Sequence, residues 1–183
     1  MKPPHFKLAS LALWLALLAV AFTAPPAAPD TAALIAKMVS GQLAGVNVSL
    51  FALFNLMGVW PLAMAIALRF DAPWWKWPFI AGSFALGAFV LLPYFVLRRW
   101  GAVRARPASV VGRFLSSVWL MRAVGVAGAA FLALFAFGDV TGFVTLWKTQ
   151  QFPYVMSFDF VAMTLAAGLL GLEQVMRRAL SRG

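Results

Sequence analysis

Three ionisable residues lie inside apolar stretches of this chain, Arg122, Asp159 and Glu173, and they pose its chemical question. A charge at the centre of a membrane helix is unfavourable by about 2.5–3.5 kcal/mol on the insertion scale, so each needs a partner or a task. Asp159 follows Phe152-Pro153-Tyr154-Val155-Met156-Ser157-Phe158 and enters the last apolar run from its outer end. Lys148, Thr141, Thr145, Tyr154, the lipid headgroups and, deeper, Asn55 are candidates to satisfy it. A desolvated carboxylate of this kind suits proton- or cation-coupled work. The competing reading is a structural carboxylate near a helix N-terminus, stabilised by the macrodipole. Arg122 and Glu173 fall at similar depth and are candidates to pair. Alternatively, Arg122 snorkels to the interface and Glu173 sits beside Arg177 at helical spacing. Asn47 and Asn55 are neutral amides suited to hydrogen bonds between helices. Asn55, Asp159, Arg122 and Glu173 together make the candidate polar site.

The groups that announce most other chemistries are missing. Without cysteine there is no disulfide, thiolate metal site or cysteine nucleophile. The sole histidine, His5, lies outside the main apolar runs, so haem or zinc ligation through histidine has no place within a bundle. No phosphate-cradling glycine loop, serine elbow or acidic metal pair is present. No catalytic residue, metal site or cofactor is therefore expected, and a membrane-embedded lipid enzyme lacks a residue set to carry it.

The elements that must position the polar residues are apolar runs near Val46–Leu68, Phe79–Leu97, Val118–Phe137 and Met156–Leu172, with a weaker one at Leu8–Phe22. Each strong run approaches the roughly 20 residues that cross the ~30 Å hydrocarbon layer as a helix. The chain is 63% hydrophobic and 11% charged, more apolar surface than water tolerates without association. The expected fold is all-α: a polytopic membrane bundle of four main transmembrane helices, an N-terminal apolar helix and a short interfacial helix. Residues 1–30 form the N-terminal helix or a signal segment with a Pro-rich linker, 31–178 the bundle, and 179–183 a cytoplasmic tail. A basic Met1–Lys7, apolar Leu8–Leu18 and small Ala19-Val20-Ala21 fit a cleaved signal peptide, and an uncleaved helix ended by Pro25-Pro26 fits as well. Thr31–Gly45 carries Leu34, Ile35, Met38 and Val39 at helical spacing behind Asp30, which reads as an interfacial helix or as an arm packed on the bundle.

The net charge of +10 gathers at the ends of the runs, so it reads as topology signal rather than as a nucleic-acid surface. Arg98, Arg99, Arg104, Arg106 and Arg113 are expected to contact anionic lipid headgroups. Placing that cluster and Arg177-Arg178 in the cytoplasm puts the connections at Asp71–Trp77 and Asp139–Pro153 outside. The first run then conflicts: if it spans, Lys2 and Lys7 lie outside, and if it is a cleaved signal the bundle inverts. The larger arginine cluster decides for a bacterial inner-membrane protein with a cytoplasmic C-terminus. Trp60, Trp74, Trp75, Trp77 and Trp119 are expected as anchors at the water boundary, with Trp74-Trp75-Lys76-Trp77-Pro78 alternatively a stacking platform.

Small residues four apart at Ser83/Gly87, Gly125/Ala129 and Ala167/Gly171 permit close helix contacts, and Pro61 and Pro93 are expected to kink their helices. The stretches Leu43-Ala44-Gly45-Val46-Asn47, Phe54-Asn55-Leu56-Met57-Gly58-Val59-Trp60-Pro61-Leu62, Trp77-Pro78-Phe79, Leu92-Pro93-Tyr94 and Met156-Ser157-Phe158-Asp159-Phe160 resemble an uncharacterised family of small multi-pass membrane proteins found in cyanobacteria, plastids and some proteobacteria. The resemblance covers about residues 31–178, transfers no catalytic residue, and implies a link to photosynthetic or other energy-converting membranes. The leading expectation is a non-enzymatic accessory, assembly or scaffold component of an inner-membrane complex, in contact with other subunits or further copies of itself. The alternative is a small transporter or channel-like carrier with Asp159 and Asn55 in a polar pathway.

Overall fold

Backbone amides in a lipid layer find partners only in the protein, and this chain pairs them in helices. A computed structural model describes residues 3–71, 74–98 and 110–180, with side chains described for 5–71, 74–98 and 110–174. The elements are α1 (Pro3–Phe22), α2 (Thr31–Ser40), α3 (Val48–Ala67), α4 (Lys76–Leu86), α5 (Ala88–Leu97), α6 (Val110–Phe114), α7 (Val118–Phe137), α8 (Val140–Thr149) and α9 (Gln151–Leu180), with no strand among the described residues. Among the described residues four helices are long and apolar enough to cross a membrane, over His5–Phe22, Val48–Ala67, Val118–Phe137 and Gln151–Gln174.

This set differs from the expected one. The weaker first run is among the four, and the Phe79–Leu97 run is not one crossing helix but two short ones broken at Gly87. Gly87 has φ 51° and ψ −130°, a backbone region open to glycine and strained for other residues. α4 and α5 then pack antiparallel: the Trp75 and Phe79 rings lie 5.1 and 5.8 Å from Tyr94, and Val90 packs closely on Gly82. With 11 and 10 residues, each arm extends about 15 Å, half a hydrocarbon layer. The pair goes in and comes back out at the same end.

Neighbouring helices cover α5 and the break itself, where Gly87 and Ala88 are buried, while Phe84 and Leu86 at the end of α4 stay exposed. α1 runs antiparallel to α5, with Phe6 against Phe95 and the Trp14 indole donating to the Phe89 carbonyl at 3.0 Å. That carbonyl is the one Pro93 deprives of its helical donor, since proline has no N–H four residues on. The indole of α1 thus satisfies a group that proline frees in α5. Neither proline breaks its helix; the interruption falls at Gly87.

α3 and α7 pair antiparallel, with the Ser49 hydroxyl donating to the Phe135 carbonyl at 3.0 Å and Val59 near Gly128. Gly128 therefore makes this contact, whereas Gly125 has open space around it. α9 runs parallel to α3, the Gln174 amide donating to the Ala67 carbonyl at 3.3 Å. At the other end, Asn47 caps α3 through the Leu50 N–H and donates to both the backbone carbonyl and the carboxylate of Asp139, which itself caps α8 through the Gly142 N–H. α2 packs against this end through Met38, with Leu34 and Ile35 beside it, in a cluster with Leu50, Leu53, Phe143 and Met156. A larger apolar cluster, including Met64, Leu68, Leu91, Phe95 and Met163, fills the opposite end.

Candidate functional site

At the larger cluster's end, the folded-back hairpin returns Arg98 beside the start of the turn that precedes it. Arg98 Nε lies 3.0 Å from Asp71 Oδ2, and its Nη2 donates to Glu173 Oε1 at 3.1 Å. The Tyr94 hydroxyl donates to Asp71 Oδ2 at 2.8 Å, and Lys76 Nζ donates to the carbonyls of Leu68 and Asp71 at 2.8 and 2.7 Å. Arg98, only 4% exposed, is therefore no lipid-headgroup contact; it is a clamp joining α3's exit, α5 and α9. Its burial follows from the position of Asp71. The connection at Asp71 lies at the same end as Arg98, not opposite it, because α4 and α5 do not cross.

This arrangement also reassigns Glu173, whose described carboxylate partner is Arg98 and not Arg122. Arg122 is exposed, and its guanidinium lies 5.4 Å from the Trp119 ring. Arg113 is exposed as well. Arg99, Arg104 and Arg106, and the side chains of Arg177 and Arg178, lie outside the described residues. Of the tryptophans, Trp74 and Trp119 are exposed, while Trp75 and Trp77 are half-buried against the hairpin. Trp60 lies well inside α3 and packs on Phe160 at 6.2 Å, so it sits within the bundle rather than at a helix end.

Asp159 meets the hairpin at its tip. Its Oδ1 accepts the Ala88 N–H at 2.7 Å, the first free backbone donor of α5. Oδ2 lies over Gly87, where a Cβ would occupy the carboxylate's place. The residue is 6% exposed, and none of the expected partners Lys148, Thr141, Thr145 or Tyr154 bonds to it. The carboxylate meets a helix N-terminus, that of α5 and not of its own helix. Sequence alone offered one pointer to this contact, the small Gly87 inside an apolar run.

A cavity of about 560 Å³ opens beside Asp159. α3 contributes Asn55 and Gly58 to its wall, the hairpin contributes Ser83 and Gly87, and Thr31 and Gln151, at the starts of α2 and α9, line it as well. Met57 borders both apolar clusters and the cavity, which therefore occupies the place where the clusters meet. The linker after α1 covers this region, the Gln151 N–H donating to the Pro26 carbonyl at 3.1 Å. Asn55 shares the cavity with Asp159, but its amide donates back to the Phe51 carbonyl at 2.8 Å. The expected site thus divides in two: Asn55 and Asp159 line one cavity, Glu173 belongs to the arginine clamp, and Arg122 to neither. Among the described residues no group of three or more histidine and acidic side chains forms a metal cluster. No family model matches the chain, and no curated protein or solved structure matches it either.

Proposed function

We propose that this is a small-molecule binding protein of the carrier type, embedded in the bilayer, with its ligand seated in the cavity beside Asp159. The observation that carries the reading is the cavity's position: it reaches a buried carboxylate at the tip of two half-length helices. Broken helices whose ends meet a polar site at mid-membrane depth are a recurrent means of binding solutes in transporters. Asn55 and Asp159 are the polar positions, and the apolar remainder of the wall accommodates the body of an organic ligand. The protein crosses the bacterial inner membrane four times, with the Arg98 end in the cytoplasm. Lys7, Arg69, Lys76, Arg98, Arg113 and Arg122 fall at that end, against Lys37 and Lys148 at the other. The positive-inside tendency and the basic first residues then agree, and the conflict over the first run disappears.

The chain has no cysteine, so Gly58→Cys introduces one thiol into the cavity wall. In reconstituted vesicles this thiol is expected to react with a water-soluble methanethiosulfonate from one face, and from the opposite face under a second ligand condition. Protection from both faces under all conditions overturns the reading.

A second reading, an accessory subunit of a larger membrane complex, draws on α7. None of its residues is buried, although it is long and apolar enough to span. Co-purification of a stoichiometric partner after gentle detergent extraction is its expected signature, and a lone monodisperse monomer counts against it.

A further inference from the structure

The chemistry of the cavity wall selects among ligands. Among the described residues Asp159 is the sole charged one that lines it, with no lysine, arginine or histidine beside it. The wall also holds Asn55, whose amide N–H donates to the Phe51 carbonyl and whose Oδ1 is a hydrogen-bond acceptor. Phe54, Phe84, Phe89 and Phe152 supply aromatic surface around these acceptors. A carboxylate with acceptors and aromatic rings, and no opposing cation, complements a group that carries positive charge and donates hydrogen bonds. A divalent metal ion is a poor match, because calcium binds six to eight oxygens and magnesium keeps a near-octahedral shell. The size of the cavity, within the roughly 300–1,000 Å³ typical of sites for organic molecules, leaves room for an apolar body behind the charge.

From this wall we infer that the ligand is a protonated organic amine with an apolar or aromatic body, its ammonium against Asp159 and its body among the phenylalanines. The inference deepens the carrier reading and rests on it. Gly87 is part of the same device, since only a residue without a Cβ leaves Asp159 in place at the hairpin tip.

The test uses the full chain in lipid nanodiscs and three probes of matched shape: 4-phenylbutylamine, 4-phenylbutanol and 4-phenylbutyrate. Binding is measured by calorimetry to wild type, Asp159→Asn and Gly58→Leu. Gly58 has open space where a side chain would begin, so the leucine fills the cavity without a clash at its Cβ. The expected result is about tenfold tighter binding of the amine than of the alcohol, as a charge-assisted contact supplies. That preference disappears in Asp159→Asn, and all binding disappears in Gly58→Leu. Equal affinity for amine and alcohol, both lost in Gly58→Leu, overturns the amine assignment while leaving the cavity reading in place. No binding of any probe, or binding indifferent to Gly58→Leu, overturns both. Should Asp159→Asn fail to fold, the probe series in wild type and Gly58→Leu still decides the assignment.

Discussion

The Asp159 carboxylate sits 2.7 Å from the Ala88 amide nitrogen, a contact between residues 71 positions apart that ties the last helix to the break in a folded-back pair. It answers two physical needs at once. The hairpin tip presents a backbone N–H that no lipid can satisfy, and the carboxylate needs a donor inside an apolar bundle.

Gly87→Ala tests that fit. The new Cβ collides with the Asp159 carboxylate, and the backbone at φ 51° is strained for alanine. Strain of order 1–3 kcal/mol and overpacking of about 1–3 kcal/mol are expected to add, visible as a lower melting temperature in detergent. In an Asp159→Ala background the collision is absent, so a double-mutant cycle is expected to show coupling of about 1 kcal/mol or more. An unchanged melting temperature for Gly87→Ala excludes this tip geometry.

The arginine clamp supports a second prediction. Arg98→Ala removes the guanidinium that buried Asp71 and Glu173 share, and removal of one member of a buried ion pair destabilises by about 3–5 kcal/mol. Replacing all three by Arg98→Leu, Asp71→Asn and Glu173→Gln is expected to recover much of that loss, because the strandings of charge are removed together. Unfolding in increasing dodecyl sulfate measures both. If Arg98→Ala melts like wild type, the three groups do not form the clamp.

Fold-back also predicts topology. Single cysteines replacing exposed Trp74 and Val110 are expected to react with an impermeant maleimide from one face of sealed vesicles, together with Lys7→Cys. Leu43→Cys and Thr141→Cys are expected to react from the opposite face. A straight crossing by Phe79–Leu97 instead puts Trp74 and Val110 on opposite faces.

These tests fall where the sequence was least legible. Apolar length identifies α3, α7 and α9 because a continuous run of that length has few other uses. It misreads Phe79–Leu97, since a run that crosses and a run that turns back at Gly87 have the same composition. The charge pairing follows from this: depth made Arg122 only a candidate partner for Glu173, beside a snorkelling Arg122 and a neighbouring Arg177, and the fold-back instead delivers Arg98 to Asp71 and Glu173. Asp159 was legible as an isolated carboxylate in an apolar run, but its partner is a backbone N–H exposed by a break, which carries no side-chain signature. Asn47 was legible as a link between helices because an amide at a helix start offers both a cap and a donor.

The Trp14 indole makes a finer prediction, because its acceptor is vacant for an identifiable reason. Phe89's carbonyl has lost its helical donor to Pro93, so Trp14→Phe is expected to destabilise by about 0.5–1.5 kcal/mol, the net worth of the bond, or more if the carbonyl stays dry. In a Pro93→Ala background the alanine N–H reaches Phe89 within α5, and the same Trp14→Phe change is expected to have a smaller effect. The comparison is made by thermal melting of the four proteins in one detergent. Equal losses in the proline and alanine backgrounds show that Trp14 acts through packing alone and that the indole does not replace the donor missing at Pro93.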